Sequence, residues 1–259
     1  MRLTTGVEHD NTAALLYVTL SGFSDEQTKR ERPLHCIIFD IDGTLTQSTG
    51  FDAACFKEAV LEHMDVSFKD DWGEYAHVTD SGILNEIVVS HGLQQHEAEL
   101  TRRVKASFIA RIEAHLQKNP VREVPGANAF ITHLRDYEHV CLGIATGGWG
   151  ETAIAKLNSA GIATKGLPLV SANDALSRVD IMNIALARVK QGNTVLEPIS
   201  NNVSITYFGD ASWDKKACAE LNWNLVVVGD RTEHHQRIND YHQVAALNEY
   251  LEFMGLQFG

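Results

Sequence analysis

A short apolar segment that ends abruptly in acidic residues and glycine is the sequence feature that most limits the fold. His35-Cys36-Ile37-Ile38-Phe39 is followed directly by Asp40-Ile41-Asp42-Gly43-Thr44. An apolar run of this length, stopped by a polar loop, is typical of a strand buried on both faces of a parallel sheet. The pattern therefore predicts a buried strand whose C-terminal end carries a functional loop.

The same form recurs four times along the chain. The later runs are Val140–Ala145 before Thr146, Leu167–Val170 before Ser171, Ile205–Phe208 before Gly209, and Leu225–Val228 before Gly229. Helical patterns lie between them, at Ala127–Tyr137, Glu151–Ala160, Asp180–Lys190 and Asp214–Leu221. Strands that alternate with helices predict an α/β fold with a parallel sheet. Ligands of such sheets lie outside the carboxyl ends of the strands, where all these polar loops fall.

One interval, from about residue 51 to residue 124, breaks the alternation. It shows helical stretches at Ala53–Met64, Ser81–His91 and Glu97–Leu116, and Pro125-Gly126 closes it. Residues 1–33 end in a charged run and are interpreted as an N-terminal arm or linker. The predicted domains are an α/β core at 34–50 and 125–259 and a helical cap at 51–124.

The composition argues against nucleic-acid and membrane partners. The 34 acidic residues outnumber the 22 Lys and Arg residues, which gives a formal net charge of −12. Non-specific nucleic-acid binders need basic surfaces that displace counterions. No apolar run approaches the roughly 20 residues that span a bilayer. The four cysteines form no CxxC pair, so they indicate buried thiols in a reducing cytoplasm, and we expect a cytoplasmic protein.

The two carboxylates of the first loop are the first candidate site. Asp40 and Asp42 lie two residues apart, so an extended backbone would direct both side chains to the same side. Two such groups repel each other unless one is protonated or a cation lies between them. A hard divalent ion such as Mg²⁺ is the natural partner, and Gly43 would allow a sharp turn. An acidic turn without a function remains the alternative for this motif alone.

A second acidic site follows a later strand, at Gly209-Asp210-Ala211-Ser212-Trp213-Asp214. Asp210 lies at the predicted end of the strand and is the better candidate for a metal ligand. Asp214 precedes a helical pattern, and on its own it is better explained as a helix N-cap.

A phosphoryl group would also need amide donors and a cation. Thr146-Gly147-Gly148 joins a strand to a helix, where a hydroxyl and free backbone amides form an anion cradle, although a plain turn is equally compatible with it. Arg178 fits the cation best, because it lies after a strand and just before a helix. Lys165, before the strand, and Lys190, at the far end of the helix, are the alternatives.

Together these sites resemble the haloacid dehalogenase-like (HAD) superfamily. Its four motifs are matched in order by Asp40-Ile41-Asp42-Gly43-Thr44, Thr146, Arg178 and Gly209–Asp214, over roughly residues 34–245. The third motif is usually Lys, so Arg178 departs from the pattern. Pro125-Gly126 is similar to the Pro-Gly that marks the return from the cap. The resemblance is to phosphoglycolate-phosphatase-like members, and it implies a Rossmann-like parallel sheet with an inserted all-helical cap.

The resemblance also implies a phosphatase mechanism with a covalent intermediate. Asp40 would attack phosphorus to form an aspartyl-phosphate, and Asp42 would protonate the leaving oxygen and then activate water. The implied Mg²⁺ ligands are Asp40, the backbone carbonyl of Asp42 and Asp210, with Asp214 in support. The implied phosphoryl-binding groups are Thr146, the Gly147 amide and Arg178.

An acid at the position of Asp42 distinguishes phosphatases from dehalogenases within the superfamily. Dehalogenases lack an acid there because halide leaves without a proton, whereas an alkoxide needs one. The resemblance therefore favours hydrolysis of a small phosphorylated metabolite. A phosphomutase or phosphonate hydrolase would keep the same carboxylates. A non-catalytic binding module is the third reading, but a degenerate site would be expected to lack Asp40, Asp42 or Asp210. An oligomer is compatible with the sequence, which does not predict one.

Overall fold

Six parallel strands form the centre of the protein. The computed structural model describes residues 34–192 and 203–253, so the predicted arm at residues 1–33 lies outside the described residues. The strands are β1 (Leu34–Phe39), β2 (Val140–Ala145), β3 (Leu169–Val170), β4 (Val203–Gly209), β5 (Asn224–Val228) and β6 (Arg237–Ile238). They are ordered β3-β2-β1-β4-β5-β6, and every pairing is parallel. The predicted α/β fold is therefore confirmed.

Eight α-helices accompany the sheet within residues 34–192 and 203–253. Those of the cap region are α1 (Thr49–His63), α2 (Asp80–Ser90) and α3 (Glu97–Lys118). The others are α4 (Ala127–Leu134), α5 (Gly150–Ser159), α6 (Arg178–Gln191), α7 (Ser212–Leu221) and α8 (Val244–Phe253). Helices α1 to α3, with their connecting loops, form the helical cap, and the sheet with α4 to α8 forms the core. The exact boundaries of the two domains stay a prediction. None of the described helices is long and apolar enough to cross a membrane.

The register of the strands brings the motifs of the sequence to one edge. β1 pairs with β2 on one side and with β4 on the other, so Phe39 lies opposite both Ile144 and Phe208. The chain reverses its direction across the sheet between β1 and β4, because β2 and β3 extend one way and β4 to β6 the other. The carboxyl ends of the strands on either side of such a reversal form a crevice that binds ligands.

Separate hydrophobic clusters hold the core and the cap. In the core, Phe39, Phe130, Phe208 and Tyr241 contact one another with ring centroids 5.0–6.3 Å apart. The cap cluster is built from all three cap helices, and the core residue Trp149 is buried within it. Trp149 thus joins the cap to the loop that follows β2. Since buried aromatic rings contribute large apolar contacts, this side chain stabilises the closed arrangement of cap and core.

The structure differs from the sequence prediction in the bounds of several elements and in two elements that follow β5. Helix α1 begins at Thr49 rather than Ala53, and α4 ends at Leu134 rather than Tyr137. The third strand begins at Leu169 rather than Leu167, because only two residues pair with β2. β6 and α8 were not predicted. β6 is two residues long and lies in a polar stretch, so it offers no apolar run to detect.

Candidate active site

A small pocket lies at the carboxyl edge of the sheet, beneath the cap. Its volume is about 140 Å³, and Asp40, Asp42, Thr146, Arg178 and Asp210 all line it. The four motifs predicted from the sequence therefore meet in one place. Their side chains come from segments up to 170 residues apart (Asp40 to Asp210), which the parallel register of β1, β2 and β4 brings together.

Three buried carboxylates form a cluster at this edge. One oxygen each from Asp40, Asp210 and Asp214 lie within 4.8 Å of one another. Asp214 is fixed by backbone donors, since its Oδ2 accepts the N–H groups of Asp210 at 3.1 Å and Ala211 at 3.0 Å. The N-cap role predicted for Asp214 is wrong. Helix α7 begins at Ser212 with Ala211 as its N-cap, so Asp214 lies within the first turn and its side chain bonds back to the preceding loop.

The electrostatics of the cluster call for a cation. Burial and repulsion by Asp214 raise the pKa of Asp40 well above its ordinary range. The same two causes raise the pKa of Asp210 to about 7, although Arg231 opposes the shift. A hard divalent cation coordinated by oxygens would relieve this repulsion, and clustered carboxylates are its usual ligands.

At position 43, next to the cluster, the backbone leaves room only for glycine. Gly43 has a φ of +81°, and a Cβ atom there would lie 2.0 Å from Oδ2 of Asp210. Any side chain at position 43 would displace that carboxylate. The three buried carboxylates offer oxygen donors of the kind that a hard divalent cation such as Mg²⁺ takes as ligands.

The Asp42 side chain does not take part in this cluster. Both of its carboxylate oxygens accept hydrogen bonds from the ammonium group of Lys156, at 2.7 Å and 2.6 Å. The Ser48 hydroxyl also donates to Oδ1 of Asp42. The two carboxylates of the first loop, Asp40 and Asp42, thus lie in different surroundings, which is the separation expected of a nucleophile and an acid–base group.

Arg178 places a buried guanidinium group beside the carboxylate cluster. Its Nη1 lies 3.0 Å from Oδ1 of Asp214, without the alignment of a hydrogen bond, and 3.6 Å from Oδ1 of Asp40. It donates to the Tyr207 hydroxyl at 3.3 Å and to the Val78 carbonyl, also at 3.3 Å. Burial alone would lower the pKa of Arg178, but Asp214, Tyr207 and Asp40 outweigh it and raise the pKa. The two alternative cations, Lys165 and Lys190, are exposed and do not line the pocket.

The loop after β2 is held in place by the cap. The Asp80 carboxylate accepts the Trp149 N–H at 2.7 Å, and the Asp80 N–H donates to the Gly147 carbonyl at 2.8 Å. The Thr146 hydroxyl accepts the Gly148 N–H at 3.2 Å. A Cβ atom on Gly147 would lie 2.5 Å from Nη2 of Arg178, so this position has no room for a side chain. Thr146, Gly147 and Arg178 are therefore neighbours, as predicted for a phosphoryl cradle.

The start of α2 brings a cap carboxylate into the site. The helix begins at Asp80, and its N-cap Thr79 accepts the Gly82 N–H at 2.9 Å. Asp80 is buried and bonded to the loop after β2.

Three charged residues of the site were not singled out from the sequence: Asp52, Lys156 and Arg231. The sequence does indicate that Lys156 is buried, because it lies three residues after Ala153 and one before Leu157, on the buried face of α5. Arg231 follows the Gly229-Asp230 loop at the end of β5 and donates to Oδ2 of Asp210 at 2.5 Å. Asp52 lies in the first turn of a helix, where acidic residues commonly stabilise the helix dipole, so the sequence does not indicate that it belongs to the site.

Comparison with known proteins agrees with this geometry. The family model of haloacid dehalogenase-like hydrolases matches residues 37–228, and the chain belongs to this family. Comparison with curated protein sequences gave no match.

Several solved structures share the fold at low sequence identity. A hydrolase from Pseudomonas syringae is 22% identical, with a TM-score of 0.58 over 77% of this chain and 87% of its own. CbbY from Rhodobacter sphaeroides in complex with phosphate is 15% identical, with a TM-score of 0.59 over 83% of this chain and 99% of its own. A mutant of CbbY was solved with xylulose-(1,5)bisphosphate.

A further relative carries the name that the sequence resemblance suggests. A protein from Lactobacillus plantarum, provisionally assigned as a phosphoglycolate phosphatase, is 19% identical. Its TM-score is 0.55 over 85% of this chain and 99% of its own. At these identities the likeness concerns the fold, including its helical cap.

Proposed function

We propose that this protein is a magnesium-dependent phosphatase that hydrolyses a small phosphorylated metabolite through an aspartyl-phosphate on Asp40. One observation carries the proposal. A buried carboxylate cluster, a separately held second carboxylate and a buried guanidinium converge on one pocket at the carboxyl edge of the sheet. This is the set of groups that phosphoryl transfer requires.

The first step is transfer of the phosphoryl group to the enzyme. A carboxylate oxygen of Asp40 attacks phosphorus, and the bond between phosphorus and the ester oxygen breaks. Asp42 enters this step protonated on one oxygen, with the other oxygen still accepting from Lys156, and gives that proton to the departing alkoxide, which leaves as an alcohol. Arg178 is beside Asp40 and interacts with the phosphoryl oxygens, together with Thr146 and the Gly147 amide.

The second step regenerates the enzyme. Asp42, now ionised, takes a proton from water as the water oxygen attacks phosphorus. The bond between phosphorus and the Asp40 oxygen breaks, inorganic phosphate leaves, and both carboxyl groups return to their starting state. An acid that becomes a base between steps needs a position near both the leaving oxygen and the attacking water.

Magnesium would be held by Asp40, the backbone carbonyl of Asp42 and Asp210, with Asp214 in support. When bound, it offsets the negative charge of these carboxylates and of the phosphoryl oxygens. Asp214 orients the loop by accepting the N–H groups of Asp210 and Ala211. Arg231, which pairs with Asp210, adds further positive charge at that carboxylate.

The pocket indicates a small substrate. Its volume of about 140 Å³ is well below the roughly 300–1,000 Å³ of pockets for drug-sized ligands. CbbY, which shares the fold, was solved with phosphate and with xylulose-(1,5)bisphosphate. These observations support a phosphorylated metabolite whose non-phosphate part is enclosed by the cap.

The test is release of inorganic phosphate from a panel of small phosphate esters, with Mg²⁺ and with EDTA. The panel includes sugar phosphates, phosphoglycolate, nucleotides and pyridoxal phosphate. We expect turnover that requires Mg²⁺ and is absent in Asp40→Asn. Absence of turnover on every ester by a folded, Mg²⁺-binding protein would contradict the proposal. Transfer of the phosphoryl group within a sugar phosphate, without phosphate release, would identify a phosphomutase instead.

A further inference from the structure

A fully buried lysine lies next to the proposed acid–base residue. The side chain of Lys156, on core helix α5, has no exposed surface. Its ammonium group donates to both carboxylate oxygens of Asp42, at 2.7 Å and 2.6 Å, and to Oδ1 of Asp52 at 2.7 Å. Three ammonium hydrogens are thus matched by three carboxylate oxygens.

The pairing is enforced by burial. A buried ammonium group is costly unless opposite charges and hydrogen bonds compensate it. Desolvation alone would lower the pKa of Lys156, but Asp42 and Asp52 outweigh it and raise the pKa. Three carboxylate oxygens compensate the buried ammonium group, and a carboxylate that turned away would leave at least one ammonium hydrogen without its acceptor.

The three partners belong to three different parts of the fold. Asp42 is in the loop after β1, Lys156 is on a helix behind that loop, and Asp52 is in the first turn of cap helix α1. The ammonium group consequently links Asp42 to the cap. A second restraint comes from Ser48, the residue before α1, whose hydroxyl donates to Oδ1 of Asp42.

We propose that Lys156 is a positioning residue that fixes the carboxylate of Asp42 and, through Asp52, makes its position depend on a seated cap. The inference rests on the proposed function, because it assigns Asp42 the proton transfers. A displacement of about 1 Å of a reacting group can cost about 100-fold in rate. Lys156 would thus couple closure of the cap to the proton-transfer step without touching the phosphoryl group.

The experiment compares two esters in Lys156→Met and Asp52→Asn. One is the alkyl phosphate on which the wild type is most active, and the other is p-nitrophenyl phosphate, whose leaving group needs no proton. For Lys156→Met we expect kcat/KM on the alkyl ester to fall about 100-fold, the scale of acid–base catalysis by a positioned side chain. The fall on p-nitrophenyl phosphate is expected to be much smaller, and inhibition by vanadate unchanged. Asp52→Asn, which keeps the pair between Lys156 and Asp42, should show the same pattern more weakly.

The matched control is Glu151→Gln on the same helix. Glu151 also forms a core-to-cap ion pair, with Lys105 at 2.9 Å, but its side chain does not contact Asp42. We expect this variant to keep wild-type kinetics with both esters. It separates the loss of any cap contact from the loss of the contact to Asp42.

The outcomes distinguish the two proposals. Equal losses on both esters, or no loss in either variant, would overturn the role of Lys156 while leaving the phosphatase proposal intact. An absence of turnover in the wild type would overturn the phosphatase proposal itself. If Lys156→Met does not fold, Asp52→Asn decides the matter by the same comparison of esters, because it leaves the lysine paired with Asp42.

Discussion

The pocket has two walls of different origin, one from the core and one from the cap. The core wall presents Asp40, Thr146 and Asp210, each at the end of a strand. The cap wall presents two buried or partly buried carboxylates, Asp52 and Asp80, beside aromatic rings such as Trp72. On the proposed function, the core wall would hold the groups for chemistry at phosphorus, and the cap wall would surround the remainder of the substrate.

The difference lies in how each wall is positioned. Hydrogen bonds between neighbouring strands set the core wall, so its residues meet wherever the register places them. Side-chain packing sets the cap wall, through the apolar cluster that includes Trp149. Lys156 and Asp80 connect the two walls by polar contacts. Changes in the core wall should therefore affect reaction and metal, and changes in the cap wall should affect substrate choice.

The largest expected effect is in the core wall, at Asp40. Asp40→Asn keeps the size and removes the nucleophilic charge, so we expect turnover to fall to background while the protein still folds. Phosphate release and circular dichroism check this together. Activity retained by a folded Asp40→Asn variant would remove Asp40 as the nucleophile.

Arg178 gives the next largest effect. Arg178→Ala removes the buried guanidinium beside Asp40 and Asp214 and should weaken vanadate binding by about 2–4 kcal/mol, the scale for a charged partner lost from a desolvated site. Lys165→Ala is the matched control, because Lys165 is exposed and outside the pocket. A loss of vanadate affinity in Lys165→Ala alone would assign the third motif to that lysine.

The core wall was largely predictable from the sequence. Each of Asp40, Thr146 and Asp210 follows an apolar run, and the rule for parallel sheets places such ends together. Arg178 was predicted from its position just before the helical pattern at Asp180–Lys190, and it is the first residue of α6. The sequence does not show which neighbouring side chain each of these groups contacts. Tyr207, for example, lies inside an apolar strand, yet its hydroxyl accepts from Arg178 and donates to the Ala145 carbonyl at 2.8 Å.

The pH dependence of stability tests the electrostatics of both walls. In the folded protein, burial raises the pKa of Asp52 to about 6 and that of Asp210 to about 7. Both values lie above those of the unfolded chain, so the folded state binds more protons between about pH 4 and pH 7. The free energy of unfolding of the metal-free protein should therefore fall, by a few kcal/mol, as pH rises through this window.

Added Mg²⁺ provides the control for that measurement. It should raise the melting temperature more at about pH 7.5 than at about pH 5, because ionised Asp40 and Asp210 bind it and protonated ones do not. Thermal melts at both pH values, with and without Mg²⁺, check this. A metal-free protein that becomes more stable between these two values would contradict the shifts assigned to Asp52 and Asp210.

The smallest effect is expected in the cap wall, at Trp72. This ring lines the pocket and lies under the Lys57 ammonium, whose Nζ is 5.2 Å from the ring centroid. Trp72→Ala should raise KM for the best substrate about tenfold, the result of losing one aromatic contact of about 1.4 kcal/mol. Its kcat on p-nitrophenyl phosphate should change little. A large fall in that kcat would mean that the cap wall takes part in the chemistry.

The cap wall was not predictable from the sequence in the same way. Its helices were located, but Asp52 and Asp80 fall in first turns, where acids commonly stabilise the helix dipole. Only packing shows that they face the pocket. Trp149 follows the Thr146-Gly147-Gly148 loop, and its burial among Phe56 and Phe108 of the cap depends on contacts between distant segments.

The most direct test of the account is to trap the phosphoryl group on the enzyme. The protein is mixed with Mg²⁺ and its best substrate carrying radioactive phosphorus, quenched in acid within one turnover, digested and analysed by mass spectrometry. The account predicts a label on Asp40 that hydroxylamine removes, as it removes acyl phosphates, and no label in Asp40→Asn. A substrate that is turned over while Asp40 stays unlabelled, or a label on a different residue, would contradict it.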